Sequence, residues 1–333
     1  AGPLLGALNV PEDVLPFALR YLRIYLLGMP AILLYNFEAA IFRSVGDTKV
    51  PLQALVVSGI LNVLMNLFFV AVLHMTVEGV ATATVLANVF SAIILLRRLM
   101  ISPLDIRVEP KALRIHADCM GRILRIGLPA GIQSAVFSVS NIVIQAGINS
   151  LGTVVMAASS AALNLELMAY FVLNSFSQAC TTFVGQNYGA WKLDRCKKTL
   201  ALSLLEDAIA TAAVIALVLG AGKPVLAIFN NDPQVISLGY TRLVLVFSAY
   251  MFSMMYEVMS GYLRGFGISL TPAALTTLGV CGIRIFWIAV VFPRSPTFRT
   301  IMYVYPISLS TTALLIFLAL LWFRPAKRAA ERE

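Results

Sequence analysis

Residues 51–74 read PLQALVVSGILNVLMNLFFVAVLH, an apolar run that contains no Asp, Glu, Lys or Arg. A helix needs about 20 apolar residues to cross the hydrocarbon core of a bilayer, and this run is long enough. A second run of the same kind follows at residues 80–96. A soluble core helix of this length would carry a polar face, so both runs predict transmembrane helices.

The composition extends this interpretation to the whole chain. Hydrophobic residues make up 59% and charged residues only 12%, with a mean hydropathy of +0.87, whereas soluble domains carry roughly 25% charged residues. The net charge of +9 does not indicate a nucleic-acid partner, because the basic residues lie in gaps between apolar runs. Cys119, Cys180, Cys196 and Cys281 lack the spacing of a disulfide framework or a metal site.

Cutting the sequence at charge clusters, Pro and Gly predicts an all-α membrane protein with about nine transmembrane helices. After a short N-terminal stub, the predicted spans cover residues 14–44, 51–73, 79–98, 120–149, 153–186, 199–221, 235–263, 272–292 and 299–323. Most Lys and Arg residues lie in connections on one side, among them residues 97–125 and the C-terminal tail with Arg332. That side, and the C-terminus with it, is therefore predicted to be cytoplasmic.

One motif occurs twice with the same internal spacing, at residues 35–51 and 256–272. Each copy has a Tyr, an Arg-x-x-Gly turn and a Pro that begins the next helix. The repeat predicts a two-lobed bundle: an incomplete N-terminal lobe at 1–100, a cytoplasmic linker at 101–119, a six-helix lobe at 120–323 and a cytoplasmic tail at 324–333. In the second half, three predicted spans between residues 120 and 234 precede the second copy, whereas only the stub precedes the first, so we expect a 6+6 parent. Repeated lobes are typical of secondary transporters.

Several motifs resemble those of the multidrug and toxic compound extrusion (MATE) family. They are YLRI at 21–24, RSVGDTKVP at 43–51, LNVLMN at 61–66, GLPAGI at 127–132, GQNYGA at 185–190 and LRGFG at 263–267. The resemblance covers nearly the whole chain and corresponds to helices four to twelve of the family. It implies a monomeric antiporter of the bacterial cytoplasmic membrane, surrounded by lipid, that exports organic cations or other amphipathic small molecules. Inward flow of Na⁺ or H⁺ would drive alternating access, with no other cofactor or metal.

Polar residues in the first half predict a cation-coupling site. Asn62 and Asn66 share one face of their helix because they are spaced i, i+4. Thr82 and Thr84 lie at a similar depth in the next span, so the oxygens of all four residues could converge on a cation. The arrangement resembles the N-lobe cation site of the family. Hydrogen bonding between packed helices is the alternative, because Asn66 carries no charge.

Two polar stripes in the second half, on the spans 120–149 and 153–186, predict the lining of a substrate cavity. The residues predicted to line it are Asn36, Gln133, Ser138, Asn141, Gln145, Asn164, Asn174, Gln178, Glu257 and Arg284. Polar contacts between packed helices are again the alternative.

Glu166 is predicted to be a further cation-coupling residue. It lies near the middle of its span and has no basic neighbour in the sequence. Ionisable residues inside a membrane are costly and usually functional. Arg284 is the predicted partner of Glu166, and a purely structural ion pair is the alternative. Glu257 lies closer to the cytoplasmic end of its span and ranks lower as a coupling residue.

Three other functions compete with export. An enzyme is not expected, because the HExxH, GxSxG and P-loop motifs do not occur. A flippase for lipid-linked oligosaccharides would share the two-lobed plan, but it would need several Arg or Lys residues in its cavity to hold a pyrophosphate. An inactive fragment is the third alternative, because one predicted lobe is incomplete.

Overall fold

A computed structural model describes residues 15–331, and all regular secondary structure in this part of the chain is helical. The predicted N-terminal stub and Arg332 lie outside the described residues. The chain divides into two compact units, residues up to Arg114 and residues from Ile115 onward. The second unit thus begins inside the stretch predicted to be a linker.

The first unit contains three long helices. They are α1 (Leu15–Ser44), α2 (Lys49–Leu67), which continues as a π-helical segment (Phe68–Val72), and α3 (Val77–Met100). Helix α1 packs along α3, and the core between them includes Phe42, Leu95 and Leu99. The chain after α3 folds back onto this core, where the Val108 N–H donates to the Leu99 carbonyl at 3.2 Å.

The second unit contains ten helices within its described residues. They are α4 (Ala117–Asn149), α5 (Thr153–Gly189), α6 (Leu193–Phe229), α7 (Pro233–Phe247), α8 (Tyr250–Gly265), α9 (Leu270–Thr276), α10 (Ile283–Phe286), α11 (Phe298–Met302), α12 (Val304–Phe323) and α13 (Pro325–Ala330). The span predicted at 235–263 is the pair α7–α8, which bends by 46°. The span predicted at 272–292 contains π-helical segments before and after α10, at Thr277–Gly282 and Trp287–Val291.

The surface of these helices suits a lipid environment. Within residues 15–331, eight helices are long and apolar enough to cross a membrane, or nine when α7–α8 counts as one span. Large apolar side chains are strongly exposed, for example Leu27 (83%), Ile228 (81%) and Trp322 (75%). Lipid tails can cover such side chains, while each helix satisfies its own backbone hydrogen bonds. The chain is therefore a multi-pass membrane protein, as predicted.

The duplicated motif has the same backbone conformation in both copies. Gly46 and Gly267 have φ values of 84° and 79°, a region that favours glycine. The N–H of each glycine donates to the carbonyl of the motif arginine, at 2.9 Å for Arg43 and 2.8 Å for Arg264. Helices α1 and α8 therefore end in the same turn, with glycine just past the last helical turn. The predicted repeat is confirmed at the level of local structure.

Helices α5 and α8 approach each other closely through small residues. Gly261 and Gly265 lie one turn apart on α8 and face α5. The Ser177 hydroxyl donates to the Glu257 carbonyl at 2.7 Å, and the Thr181 hydroxyl donates to the Gly261 carbonyl at 3.0 Å. Small residues spaced by four allow membrane helices to pack this closely. This contact fixes the part of α8 that carries Glu257.

We expect the substitution Gly261→Ala to destabilise the α5–α8 contact. The new Cβ would lie 2.5 Å from the Ser177 carbonyl oxygen, a backbone atom that cannot move unless α5 shifts. Overpacking of this kind costs about 1–3 kcal/mol, so the apparent melting temperature of the detergent-purified whole protein should fall. Gly220→Ala in α6 is the matched control, because its Cβ meets nothing within 4 Å. Equal melting of the two variants would contradict the prediction.

Candidate functional site

The second unit contains a cavity of about 630 Å³, formed by α4, α5, α7, α8, α9, α10 and α12. The predicted site residues that line it are Gln133, Ser138, Asn141, Gln145, Glu166, Asn174, Glu257 and Arg284. Tyrosines from three helices add to the lining, namely Tyr170, Tyr250, Tyr256 and Tyr305. The volume is in the range of small-molecule sites in proteins.

Two residues of the second predicted stripe do not line this cavity. Asn164 and Gln178 are exposed on α5, and the Asn164 amide donates to the Ser160 carbonyl of its own helix at 3.0 Å. Asn36 belongs to the first unit, where it is exposed and donates to the Ile32 carbonyl at 2.7 Å. The roles predicted for these three residues stay predictions.

Glu166 forms a bidentate ion pair with Arg242 of α7. Its two carboxylate oxygens accept from Arg242 Nε at 2.6 Å and from Nη2 at 2.9 Å. The side chains of Arg242 and Glu166 are only 3% and 10% exposed. The predicted pairing of Glu166 with Arg284 is therefore wrong, because Arg242 occupies the carboxylate instead. Arg242 falls within the span predicted at 235–263, and α7, which begins at Pro233, carries it inside the unit.

Arg284 lies on α10 without a carboxylate partner. Its side chain is buried, and no Asp or Glu oxygen lies within 4.0 Å of it in the described part of the chain. Its Nη1 donates to Asn141 Oδ1 at 3.4 Å, and its Nε has no hydrogen-bond partner. The guanidinium carbon lies 4.6 Å from the ring centre of Tyr305 and 5.5 Å from that of Phe137. Contact with the two aromatic rings stabilises the cation without neutralising it.

Glu257 is the second carboxylate of the cavity, and it is buried on α8. Over residues 15–331, no Lys or Arg nitrogen lies within 4.0 Å of its carboxylate. The hydroxyls of Tyr170 and Tyr256 interact with the carboxylate, and Arg264 attracts it electrostatically from a greater distance. A proton or a cation could therefore reach Glu257 without first displacing an ion-pair partner.

Asp207 of α6 is a buried carboxylate that the sequence analysis overlooked. It is fully buried, and one oxygen accepts from the Thr211 hydroxyl at 3.1 Å while the other has no partner. The carboxylates of Asp207 and Glu257 interact electrostatically. The sequence signal that could have identified it is its position, next to Glu206, within the predicted span 199–221, because charged residues within membrane spans are usually functional.

In the first unit, three of the four predicted coupling residues come together. The Asn66 amide donates to Asn62 Oδ1 at 3.0 Å, and the Asn62 amide donates to Thr84 Oγ1 at 3.4 Å. Asn66 Oδ1 is buried and accepts no hydrogen bond. Thr82 does not join these contacts, because residues two apart on a helix point in different directions. The cluster offers neutral oxygen ligands to a cation, and its role in coupling stays a prediction.

Glu38 is a buried carboxylate near the end of α1. It is 2% exposed, and among the described residues neither of its carboxylate oxygens has a hydrogen-bond partner. It packs beside the core residues Ala39 and Phe42 of α1.

The second unit has apolar spans around an internal cavity, and the cavity contains two carboxylates and three guanidinium groups. These features define a polytopic membrane protein with a polar site among its helices. The sequence pattern of the MatE family matches residues 1–68 and 129–290, more than half of the chain. The chain belongs to this family.

Similar proteins agree with this assignment. The chain is 26% identical to "Probable multidrug resistance protein YpnP" and 24% identical to "Probable multidrug resistance protein YoeA", both from Bacillus subtilis (strain 168). These matches cover 86% and 85% of the chain but only 62% of each relative's length. A solved multidrug resistance MATE family transporter in an outward-facing conformation matches 99% of the chain, with a TM-score of 0.88 and 19% identity over 74% of its own length. This last likeness concerns the fold.

Proposed function

We propose that the protein containing this chain is a secondary active exporter of amphipathic small molecules, driven by Na⁺ or H⁺. The observation that carries the proposal is a cavity within apolar spans that contains Glu257, a buried carboxylate free of an ion-pair partner in the described chain. Ionisable residues at such positions cost free energy and are usually kept for substrate or ion binding. Membership of the MatE family supports the same function.

We assign ion coupling in the second unit to Glu257 rather than to Glu166. Arg242 holds the Glu166 carboxylate by two charge-assisted hydrogen bonds, so a coupling ion would have to compete with a guanidinium group. The hydroxyls of Tyr170 and Tyr256 lie beside Glu257, and among the described residues no Lys or Arg nitrogen lies within 4.0 Å of its carboxylate. The cluster of Asn62, Asn66 and Thr84 is the corresponding candidate for Na⁺ in the first unit.

The proposal places the protein in the bacterial cytoplasmic membrane, with its C-terminus inside, as a monomer. The basic residues of the predicted cytoplasmic connections support this orientation. The matched relatives, named as multidrug resistance proteins, support export over catalysis. A pyrophosphate flippase has weaker support, because one of the three cavity arginines, Arg242, is already neutralised and Arg264 attracts Glu257.

Transport by the whole protein in liposomes tests this proposal. Ethidium (a cation), dansylglycinamide (uncharged) and dansylglycine (an anion) would each be offered under an imposed pH gradient and, separately, a Na⁺ gradient. We expect at least one probe to be moved against its own gradient when an ion gradient is present and not when it is collapsed. Protein that is folded by size-exclusion chromatography but moves no probe under either gradient would refute the proposal.

A further inference from the structure

The charges that line the cavity do not balance. Its lining contains three arginines, Arg242, Arg264 and Arg284, but only two carboxylates, Glu166 and Glu257. Arg242 and Glu166 neutralise each other at 2.6 and 2.9 Å. Glu257 and Arg264 attract each other electrostatically. Arg284 is left as the surplus charge, so the cavity as a whole is positive.

Arg284 has hydrogen-bonding capacity that the protein does not use. A guanidinium group carries five N–H donors, and the structure gives Arg284 one long bond of 3.4 Å, to Asn141 Oδ1. Its Nε is buried and without a partner, although the residue is only 5% exposed. A buried donor left unpaired costs free energy. The Arg284 guanidinium thus lines the cavity with N–H donors for which the described residues supply no acceptor.

The backbone that carries Arg284 is also unusual. Helix α10 lies between two π-helical segments, Thr277–Gly282 and Trp287–Val291. Such segments are rare and frequently occur at functional sites. Arg284 therefore occupies a locally altered stretch of helix, held between the rings of Phe137 and Tyr305.

We propose, on the basis of the export function proposed above, that Arg284 binds an anionic group of the exported molecule, which is an amphipathic carboxylate or phosphate. The planar guanidinium fork matches the two oxygens of such a group. The apolar wall that Ile144, Leu163 and Leu167 contribute to the cavity would contact the body of the molecule, and the amides of Gln133 and Asn174 would bind its neutral polar groups. A zwitterion would bind in the same pose with its cation toward Glu257.

The experiment compares two fluorescent probes that differ only in charge, dansylglycine and dansylglycinamide, for binding to the whole protein in phosphatidylcholine nanodiscs. We expect the carboxylate to bind about tenfold more tightly than the amide, the effect of one charge-assisted contact. Arg284→Gln should abolish this preference, and Arg284→Lys should keep part of it. Arg294→Gln, an exposed arginine beyond the second π-helical segment, should leave both affinities unchanged.

Equal affinities of the unaltered protein for the two probes would overturn the proposal, whatever the variants show. If Arg284→Gln fails to fold, the comparison between the unaltered protein and Arg284→Lys still decides the outcome. If phosphatidylglycerol replaces phosphatidylcholine and dansylglycine binding falls by more than its partitioning into empty nanodiscs of the same lipid, a lipid phosphate occupies the site and the proposal is overturned. Gradient-driven transport at equal rates for charged and uncharged probes would refute the role of Arg284 but not the exporter function. Absence of any transport would refute the exporter function.

Discussion

The substitution Arg242→Met, with Glu166 unchanged, is expected to destabilise the protein by about 3–5 kcal/mol. The change removes both charge-assisted hydrogen bonds from a carboxylate whose side chain is only 10% exposed. It also removes the contact of 3.4 Å between Arg242 Nη2 and the Tyr305 hydroxyl. The apparent melting temperature of the whole protein in detergent, read by scanning fluorimetry, should fall by many degrees.

The double variant Glu166→Leu/Arg242→Met distinguishes two causes of instability, namely the loss of the ion pair and the burial of a carboxylate without a counter-ion. Replacing both members of a buried pair by apolar residues of similar size is often neutral or stabilising, so we expect the double variant to recover most of the stability. Lys197→Met, which breaks an exposed pair with Asp194, is the control and should melt like the unaltered protein. Equal losses in the single and double variants would show that the arginine stabilises the unit by packing instead of by charge.

The stability of these variants affects how the transport activity of Glu166 variants is interpreted. The sequence pattern predicts that Glu166→Gln abolishes efflux because it assigns Glu166 to cation coupling. The ion pair gives another reason for inactivity, since Glu166→Gln leaves the Arg242 guanidinium without its counter-ion. Transport by the double variant would show that Glu166 is structural.

The spans and the repeat could be predicted because they depend on local signals. The length of an apolar run, and the Gly and Pro residues that interrupt it, are properties of neighbouring residues. The bend between α7 and α8 and the π-helical segments around α10 could not be predicted in this way. They occur inside predicted spans at points that no Pro marks, and Gly279 of the first π-helical segment packs against Thr312 of α12.

The candidate site was predictable only in part, for a related reason. Periodicity tells which residues of one helix share a face, and it correctly grouped Asn141 with Gln145 on the cavity side of α4. It does not tell which face of the next helix lines the cavity: Asn174 of α5 lines it, whereas Asn164 is exposed and its amide donates to the Ser160 carbonyl. The Glu166–Arg242 pair joins helices far apart in the sequence, and only the packed structure reveals it.

Glu257→Gln is expected to reduce gradient-driven export to the rate of liposomes without protein. The amide is close in size to the carboxylate and can still contact Tyr170 and Tyr256, so the protein should fold and melt normally. It cannot take up a proton at this position or offer a negative charge to Na⁺, so the coupling step should fail. Binding of the transported probe, measured in nanodiscs without a gradient, should change little.

Two further variants determine whether the charge of Glu257 or its position is responsible. Glu206→Gln removes an exposed carboxylate of α6 and should transport normally. Glu257→Asp keeps the charge but shortens the side chain, so it should retain part of the gradient-driven rate. If Glu257→Gln still exports under a gradient, the coupling ion must bind elsewhere. Asp207, with one buried oxygen unpartnered, and the cluster of Asn62, Asn66 and Thr84 would then be the sites to test.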